Sequence, residues 1–132
     1  MKIGLSQRIL YHKGRAYDSI EHGWYSYLDG HTLYFVPNFQ DQDFNSLAQE
    51  LDAFIITGGD DSPIRRLTEL RLATQMMAQR KPIVGICHGC FLLTEVLGGS
   101  VDVIKDHMDV EHKINYNNKE FLVNSYHTLS IR

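Results

Sequence analysis

The sequence has little of what marks several protein classes. Its 132 residues include only two cysteines, three prolines and one tryptophan. Two cysteines three positions apart are not a disulfide framework for a small secreted domain, so a reducing, cytoplasmic setting is expected. No apolar run approaches the roughly 20 residues of a membrane span. The N-terminal stretch MKIGLSQRIL is too polar for a secretory signal, and no membrane partner is expected. Charge of one sign is also missing. A net charge of −3 gives no electrostatic reason to expect nucleic acid or an anionic lipid surface as partner. Internal repeats and low-complexity segments are absent. What remains is an ordinary globular composition, 43% apolar and 22% charged, in a chain of a length that suits one domain, residues 1–132, with a core that needs no metal or disulfide.

Short apolar runs alternate with helical patterns along the chain. Lys2–Ser6 reads as a first strand. Arg15–Leu28 reads as an amphipathic helix with Ile20, Trp24, Tyr27 and Leu28 near one face, ended by Asp29-Gly30. Thr32–Val36 is rich in β-branched and aromatic residues and is stopped by Pro37, as a second strand would be. Asp43–Leu51 reads as a short helix. Ala53–Thr57 is nearly all apolar, the pattern of a strand buried on both faces of a parallel sheet. Pro63–Arg80 carries Ile64, Leu67, Leu70, Ala73 and Met77 at helical spacing, with Pro63 suited to the first turn. Lys81-Pro82 breaks that helix, Ile83–Ile86 reads as another buried strand, and His88–Leu97 as a helix ended by Gly98-Gly99. This alternation predicts an α/β fold with a mostly parallel sheet, helices on both faces and right-handed crossovers. The pattern then changes. Asp109–Tyr116 and Glu120–Tyr126 alternate around Asn117-Asn118, which predicts a C-terminal β-hairpin, and the final TLSIR reads as a strand.

The chemistry concentrates in Gly85-Ile86-Cys87-His88-Gly89, between a short apolar strand and a helix. A turn that thrusts a nucleophile out of a sheet crowds the backbone on both sides, and glycine two residues before and after relieves the crowding. Cys87 would then stand at a helix N-terminus, where the macrodipole and unsatisfied N–H groups favour the thiolate. The amide of His88 would face a developing oxyanion. The strand Ala53–Thr57 runs into Gly58-Gly59-Asp60-Asp61-Ser62-Pro63. Ligands in parallel sheets sit beyond the carboxyl ends of strands, so this loop and the Cys87 turn are expected to be neighbours. A glycine there can bring a second N–H to the substrate carbonyl.

Other readings of the cysteines stay open. Cys87-His88-Gly89-Cys90 has the spacing of a redox pair, although no tryptophan precedes it and redox chemistry has no use for the glycine bracket. Covalent haem attachment would need histidine at position 91, which is Phe. A zinc site built on the two cysteines would need two further ligands, for which His107 and His112 are available, but a single Cys-x-x-Cys is a weak signal. No metal site and no cofactor are predicted. Cys90 reads as a small residue on the inner face of its helix. His12, His22 and His31 read as surface residues, and His112 as one that shapes a strand.

Five ordered segments resemble a class I glutamine amidotransferase domain (flavodoxin-like in fold), and more closely its γ-glutamyl hydrolase-like branch. They are TGGDDSP (57–63), KPIVGICHG (81–89), LLTEVLGGSV (92–101), HKI (112–114) and VNSYH (123–127). The resemblance implies that Cys87 is a catalytic nucleophile, attacking the γ-amide carbonyl of glutamine or a γ-glutamyl conjugate to form a thioester that water resolves. It implies that Gly59 and His88 supply the oxyanion-hole amides, His88 acting through its backbone. It also implies that Gly58, Phe91, Asn124, Ser125 and Tyr126 contact the substrate. Most members carry glutamine where Phe91 stands, which leaves open whether free glutamine or a bulkier conjugate is bound. The resemblance allows a synthetase partner that receives ammonia, and also a catalytically incomplete relic. In the family the base is the histidine of a later His-x-Glu segment, so His127 is not expected to be the base. No histidine here stands two residues before a glutamate. The expectation is therefore a domain that is incomplete at its C-terminus, whose unpaired sheet edge invites self-association.

Overall fold

The computed structural model describes residues 1–132. The chain forms two compact units, Met1–Leu93 and Thr94–Arg132. The first is built on four parallel strands: β1 (Lys2–Ser6), β4 (Thr32–Val36), β5 (Ala53–Ile56) and β6 (Ile83–Gly85), in the order β4-β1-β5-β6. In register, Ile3 stands beside Leu33 and Ala53, Gly4 beside Phe54, and Leu5 beside Ile55. Because side chains alternate along a strand, these pairs define two faces. Ile3, Leu5 and Ile55 form one cluster, covered by Ile20, Trp24, Leu28 and Leu33. On the other face Gly4 leaves room for Leu51 and Phe54, whose side chains a Cβ there would meet at 2.6 and 3.3 Å. This is the mostly parallel α/β sheet, with helices, that the alternation of elements predicts.

The main departure from expectation lies in residues 15–28. Arg15–Ser19 is not helical. It forms strand β3, paired antiparallel with β2 (Arg8–His12). The two-residue turn between them, Lys13-Gly14, has φ of 47° and 73°, the left-handed pair that matches hairpin twist. Only Gly23–Tyr27 is helical (α1). The periodic apolar residues Ile20, Trp24 and Leu28 do cover the sheet. Their periodicity does not carry the helix back over the hairpin, whose Lys-Gly turn is a weaker signal than Asn-Gly.

The remaining helices follow their end signals. α2 (Phe44–Glu50) starts where the Asp43 carboxylate accepts from the amides of Asn45 and Ser46, both at 3.1 Å. Its other end is held by Lys81 Nζ, which donates to the carbonyls of Ala48, Gln49 and Leu51, each at 2.7 Å. α3 (Pro63–Ala78) is capped by Ser62 Oγ and has Pro63 in its first turn. Its buried stripe is Arg65, Thr68, Glu69, Leu72, Ala73 and Met76. Of the apolar residues expected on that face only Ala73 is in the stripe, and Ile64 and Leu67 are exposed. The inward face is rotated because it carries a buried ion pair.

α4 (His88–Val96) follows β6, and the division between the units falls within it. The second unit pairs β7 (Val101–Val103) with β10 (Leu129–Ile131), and β8 (Met108–Tyr116) with β9 (Lys119–Tyr126), both antiparallel. Asn117 and Asn118 both take positive φ, 50° and 59°, closing the predicted hairpin. The register shifts between Met108 and Val110, around Asp109 at φ 55°. No helix is long and apolar enough to cross a membrane.

Candidate active site

Cys87 stands between Ile86, which follows β6, and the first turn of α4. Its φ is 51°, a left-handed conformation that costs an L-residue roughly 1–2 kcal/mol. Neighbouring bonds hold it there. Ile86 N donates to Ile56 O at 3.0 Å, and the Cys87 carbonyl accepts from Cys90 N at 2.9 Å and Phe91 N at 3.2 Å. Cys87 is exposed, and Cys90 is partly buried. Both bracketing glycines are sterically required. A Cβ on Gly85 would come within 2.7 Å of Cys90 N, and one on Gly89 within 2.8 Å of Ile56 Cβ. A strained residue, presented to solvent between two positions that admit no side chain, is the geometry of a nucleophile elbow. The first N–H groups of α4, beginning with His88, have no acceptor within the helix.

The Gly58-Gly59 loop lies against this turn. A Cβ on Gly58 would stand 3.3 Å from Cys87 Cβ and 3.6 Å from the Ile86 carbonyl oxygen. Gly59 has φ 110°, and a side chain there would collide with that of Arg8. Thr57, Gly58, Gly59 and Ile86 line a recess of about 230 Å³ together with Arg8, Ile20, Glu21 and Trp24. Arg8 and Glu21 pair at 3.6 Å and are solvent-accessible, so their ion pair contributes little stability. They place one cationic and one anionic group at the rim. Phe91 is partly buried one turn into α4.

A buried polar chain, not legible as a site from the sequence, joins the two loops. Arg65 is fully buried. Its guanidinium donates to the carbonyls of Thr57 (2.6 Å), Gly58 (3.3 Å) and Asp60 (2.9 Å), and its Nε to Glu69 Oε1 at 2.8 Å. The other carboxylate oxygen, Oε2, accepts from His88 Nε2 at 2.7 Å. Burial pushes the Glu69 carboxyl up, but the His88 hydrogen bond and the Arg65 charge outweigh it, and the net shift is downward. Glu69 is thus an anion between one cation and a ring N–H. The His88 ring therefore anchors the residue that follows Cys87. Arg65 and Glu69 are inconspicuous in the sequence because an i, i+4 Arg–Glu pair ordinarily marks a solvated helix face. Their periodicity with Leu72, Ala73 and Met76 is the available signal.

Asn124, Ser125 and Tyr126 lie at the end of β9 in the second unit. Asn124 and Tyr126 are not buried and line an open recess of about 270 Å³ with Asp109, Val110 and Glu111. Ser125 is buried, and its hydroxyl donates to the His107 carbonyl at 2.6 Å. Its side chain holds the hairpin's end together. Beside it, His127 Nδ1 lies 2.6 Å from the Leu129 carbonyl oxygen.

The family described as glutamine amidotransferase class-I matches residues 16–132. Among curated proteins none matches. The chain is similar to the crystal structure of a protein described as part of a GMP synthase from Thermoplasma acidophilum, with a TM-score of 0.67 and 21% identity over 99% of this chain and 66% of that one. It is also similar to a glutamine amidotransferase from Thermotoga maritima, with a TM-score of 0.66 and 14% identity over 99% of this chain and 62% of that one. At these identities the likeness is one of fold, and the chain spans just under two thirds of each solved structure. With its family matched over most of its length, the chain belongs to the class I glutamine amidotransferases.

Proposed function

We propose that this chain carries the nucleophile site of a γ-glutamyl amide hydrolase, as in the γ-glutamyl hydrolase-like branch of the family. The carrying observation is Cys87 at φ 51° between two sterically obligatory glycines, with Gly58 against its Cβ. The thiolate attacks the γ-amide carbonyl carbon, and the oxyanion is met by the amides of His88 and Gly59. The C–N bond breaks, the nitrogen leaves protonated as ammonia or an amine, and a γ-glutamyl thioester remains on Cys87. Water then cleaves the thioester, releasing glutamate and restoring the thiol. Arg65, Glu69 and His88 position the two loops through side chains that do not touch substrate. At the recess, Arg8 suits an α-carboxylate and Glu21 an α-ammonium group, the two charges at the head of glutamine. Asn124, Ser125 and Tyr126 remain the substrate-contacting segment implied by the resemblance, Ser125 through its backbone. The proton carrier is assigned to no residue of this chain.

A second reading, a glutaminase that passes ammonia to a synthetase partner, is favoured by an apolar recess of about 360 Å³. It is lined by Glu21, Gly23, Trp24, Tyr27 and Ile86, the residue before the nucleophile. Glutaminase turnover that rises on adding a synthetase would support this reading, and indifference to every synthetase partner would remove it.

The test of the first reading is covalent labelling by a γ-glutamyl-mimicking electrophile, read by intact mass. One adduct is expected on the wild type and on Cys90→Ala, and none on Cys87→Ala. Glutamine or a γ-glutamyl conjugate should protect, and glutamine blocked at both α-groups should not. Labelling that survives Cys87→Ala would end this proposal. Labelling lost with either cysteine would favour the redox pair.

A further inference from the structure

The second unit holds a cluster of side chains that the chemistry above does not use. His107 lies one residue before β8, His112 within β8, and His127 directly after β9. Their rings gather closely: the His107 centroid is 4.7 Å from that of His112 and 5.2 Å from that of His127. One ring nitrogen from each can be chosen so that all three lie within 4.8 Å of one another, and all three residues are half-buried. We propose that His107, His112 and His127 are the ligands of one borderline divalent cation, Zn²⁺ first, with water in the fourth position.

Donor chemistry selects the ion. Three imidazoles suit zinc and its first-row neighbours, whereas Mg²⁺ and Ca²⁺ demand oxygen ligands. Three nitrogens at about 2.05 Å from a tetrahedral Zn²⁺ stand roughly 3.4 Å apart. The cluster therefore needs only small side-chain adjustments to close on an ion.

Two of the three, His127 and His107, have the surroundings of ligating histidines, which characteristically give their second ring nitrogen to a carbonyl or hydroxyl. His127 Nδ1 lies 2.6 Å from the Leu129 carbonyl oxygen, an atom that can only accept, so this nitrogen carries the proton and Nε2 the lone pair. His107 Nδ1 lies 3.5 Å from Ser125 Oγ, whose own proton goes to the His107 carbonyl at 2.6 Å. That arrangement leaves the Ser125 oxygen facing His107 Nδ1 as a long-range acceptor. The His127 amide also donates to the His107 carbonyl at 3.2 Å, so the backbone carrying two of the ligands is fixed.

The unit has a use for such an ion. Within Thr94–Arg132 no hydrophobic side chain is fully buried, and Ser125 is the buried residue. Units below about 40 residues usually need a metal, a disulfide or association to supplement so small a core. A bound ion would tie the segment before β8, the strand β8 and the segment after β9 at one point. The cysteines take no part in the proposed site, in contrast to a zinc site built on Cys87 and Cys90.

The test uses the full chain carrying Cys87→Ser and Cys90→Ser, so that thiolates do not compete. Titration with Zn²⁺ by calorimetry should saturate at one equivalent, and Co²⁺ in its place should give the strong visible bands of a four-coordinate site. His107→Ala, His112→Ala or His127→Ala should each weaken binding at least about tenfold. A measurement that needs no histidine substitution accompanies these, since a variant can fail to fold. Zn²⁺ should shift the ring resonances of these three histidines and leave those of His12, His22, His31 and His88 in place. The proposal is overturned if no saturable binding occurs, if the shifted rings are other histidines, or if binding seen in the wild type vanishes from the double-serine chain.

Discussion

Both carboxylate oxygens of Glu69 are engaged, one by Arg65 and one by His88, and neither Glu69 nor Arg65 is exposed. Burial alone would raise its pKa, but its partners carry it below the ordinary value of 4.5. A carboxyl whose folded pKa is depressed contributes stability above its unfolded pKa, and that contribution is lost as pH falls through the folded value. Glu69→Gln removes the anion and leaves the Arg65 charge buried without its counter-ion, so the expected loss is about 3–5 kcal/mol near neutral pH. Urea melts at a series of pH values check this. The gap between wild type and variant should narrow below pH 4.5, and a gap constant across acid pH would refute the assignment.

At the scale of elements, α3 is where pattern and packing part. Counting only apolar residues puts Ile64, Leu67, Leu70, Ala73 and Met77 on one face. In the structure the inward face is Arg65, Thr68, Glu69, Leu72, Ala73 and Met76, while Leu67 is 41% exposed. The rotation follows from the two polar residues that tie the Thr57–Asp60 loop to the elbow. Denaturant titration separates the two faces. Leu72→Ala should cost about 2–5 kcal/mol through lost burial and a cavity. Leu67→Ala should stay within about 0.5 kcal/mol, as exposed substitutions do. Equal costs would restore the face read from apolar residues alone.

At the scale of the whole molecule, the buried hydrophobic core belongs to the unit Met1–Leu93. Leu5, Phe54, Ile56, Leu72 and Met76 are essentially inaccessible, whereas Ile114, Phe121 and Leu122 of the β8–β9 hairpin are exposed. Amides protected by a buried core open only in near-global unfolding, and those of an exposed ladder open locally. Hydrogen exchange should therefore be slowest in β1 and β5 and markedly faster in β8 and β9. Uniform protection would instead show that the exposed hairpin side chains are covered in solution, as self-association would cover them.

The parallel α/β core is legible in the amino-acid sequence, since short apolar strands alternating with capped helices admit few other arrangements. The sequence also places the hairpin at Asn117-Asn118 and marks Cys87 within a glycine bracket, because turn and elbow chemistry depend on a few adjacent residues. The Lys13-Gly14 hairpin is hidden in the sequence because lysine is not among the residues that favour the positive φ this turn requires, and the periodicity of Ile20, Trp24 and Leu28 runs into it. Contacts between distant positions emerge only once the chain is folded. The link from Arg65 through Glu69 to His88, and the convergence of His107, His112 and His127, depend on partners up to about twenty residues apart. A charged pair or a lone histidine reads as solvated surface until the fold shows what faces it.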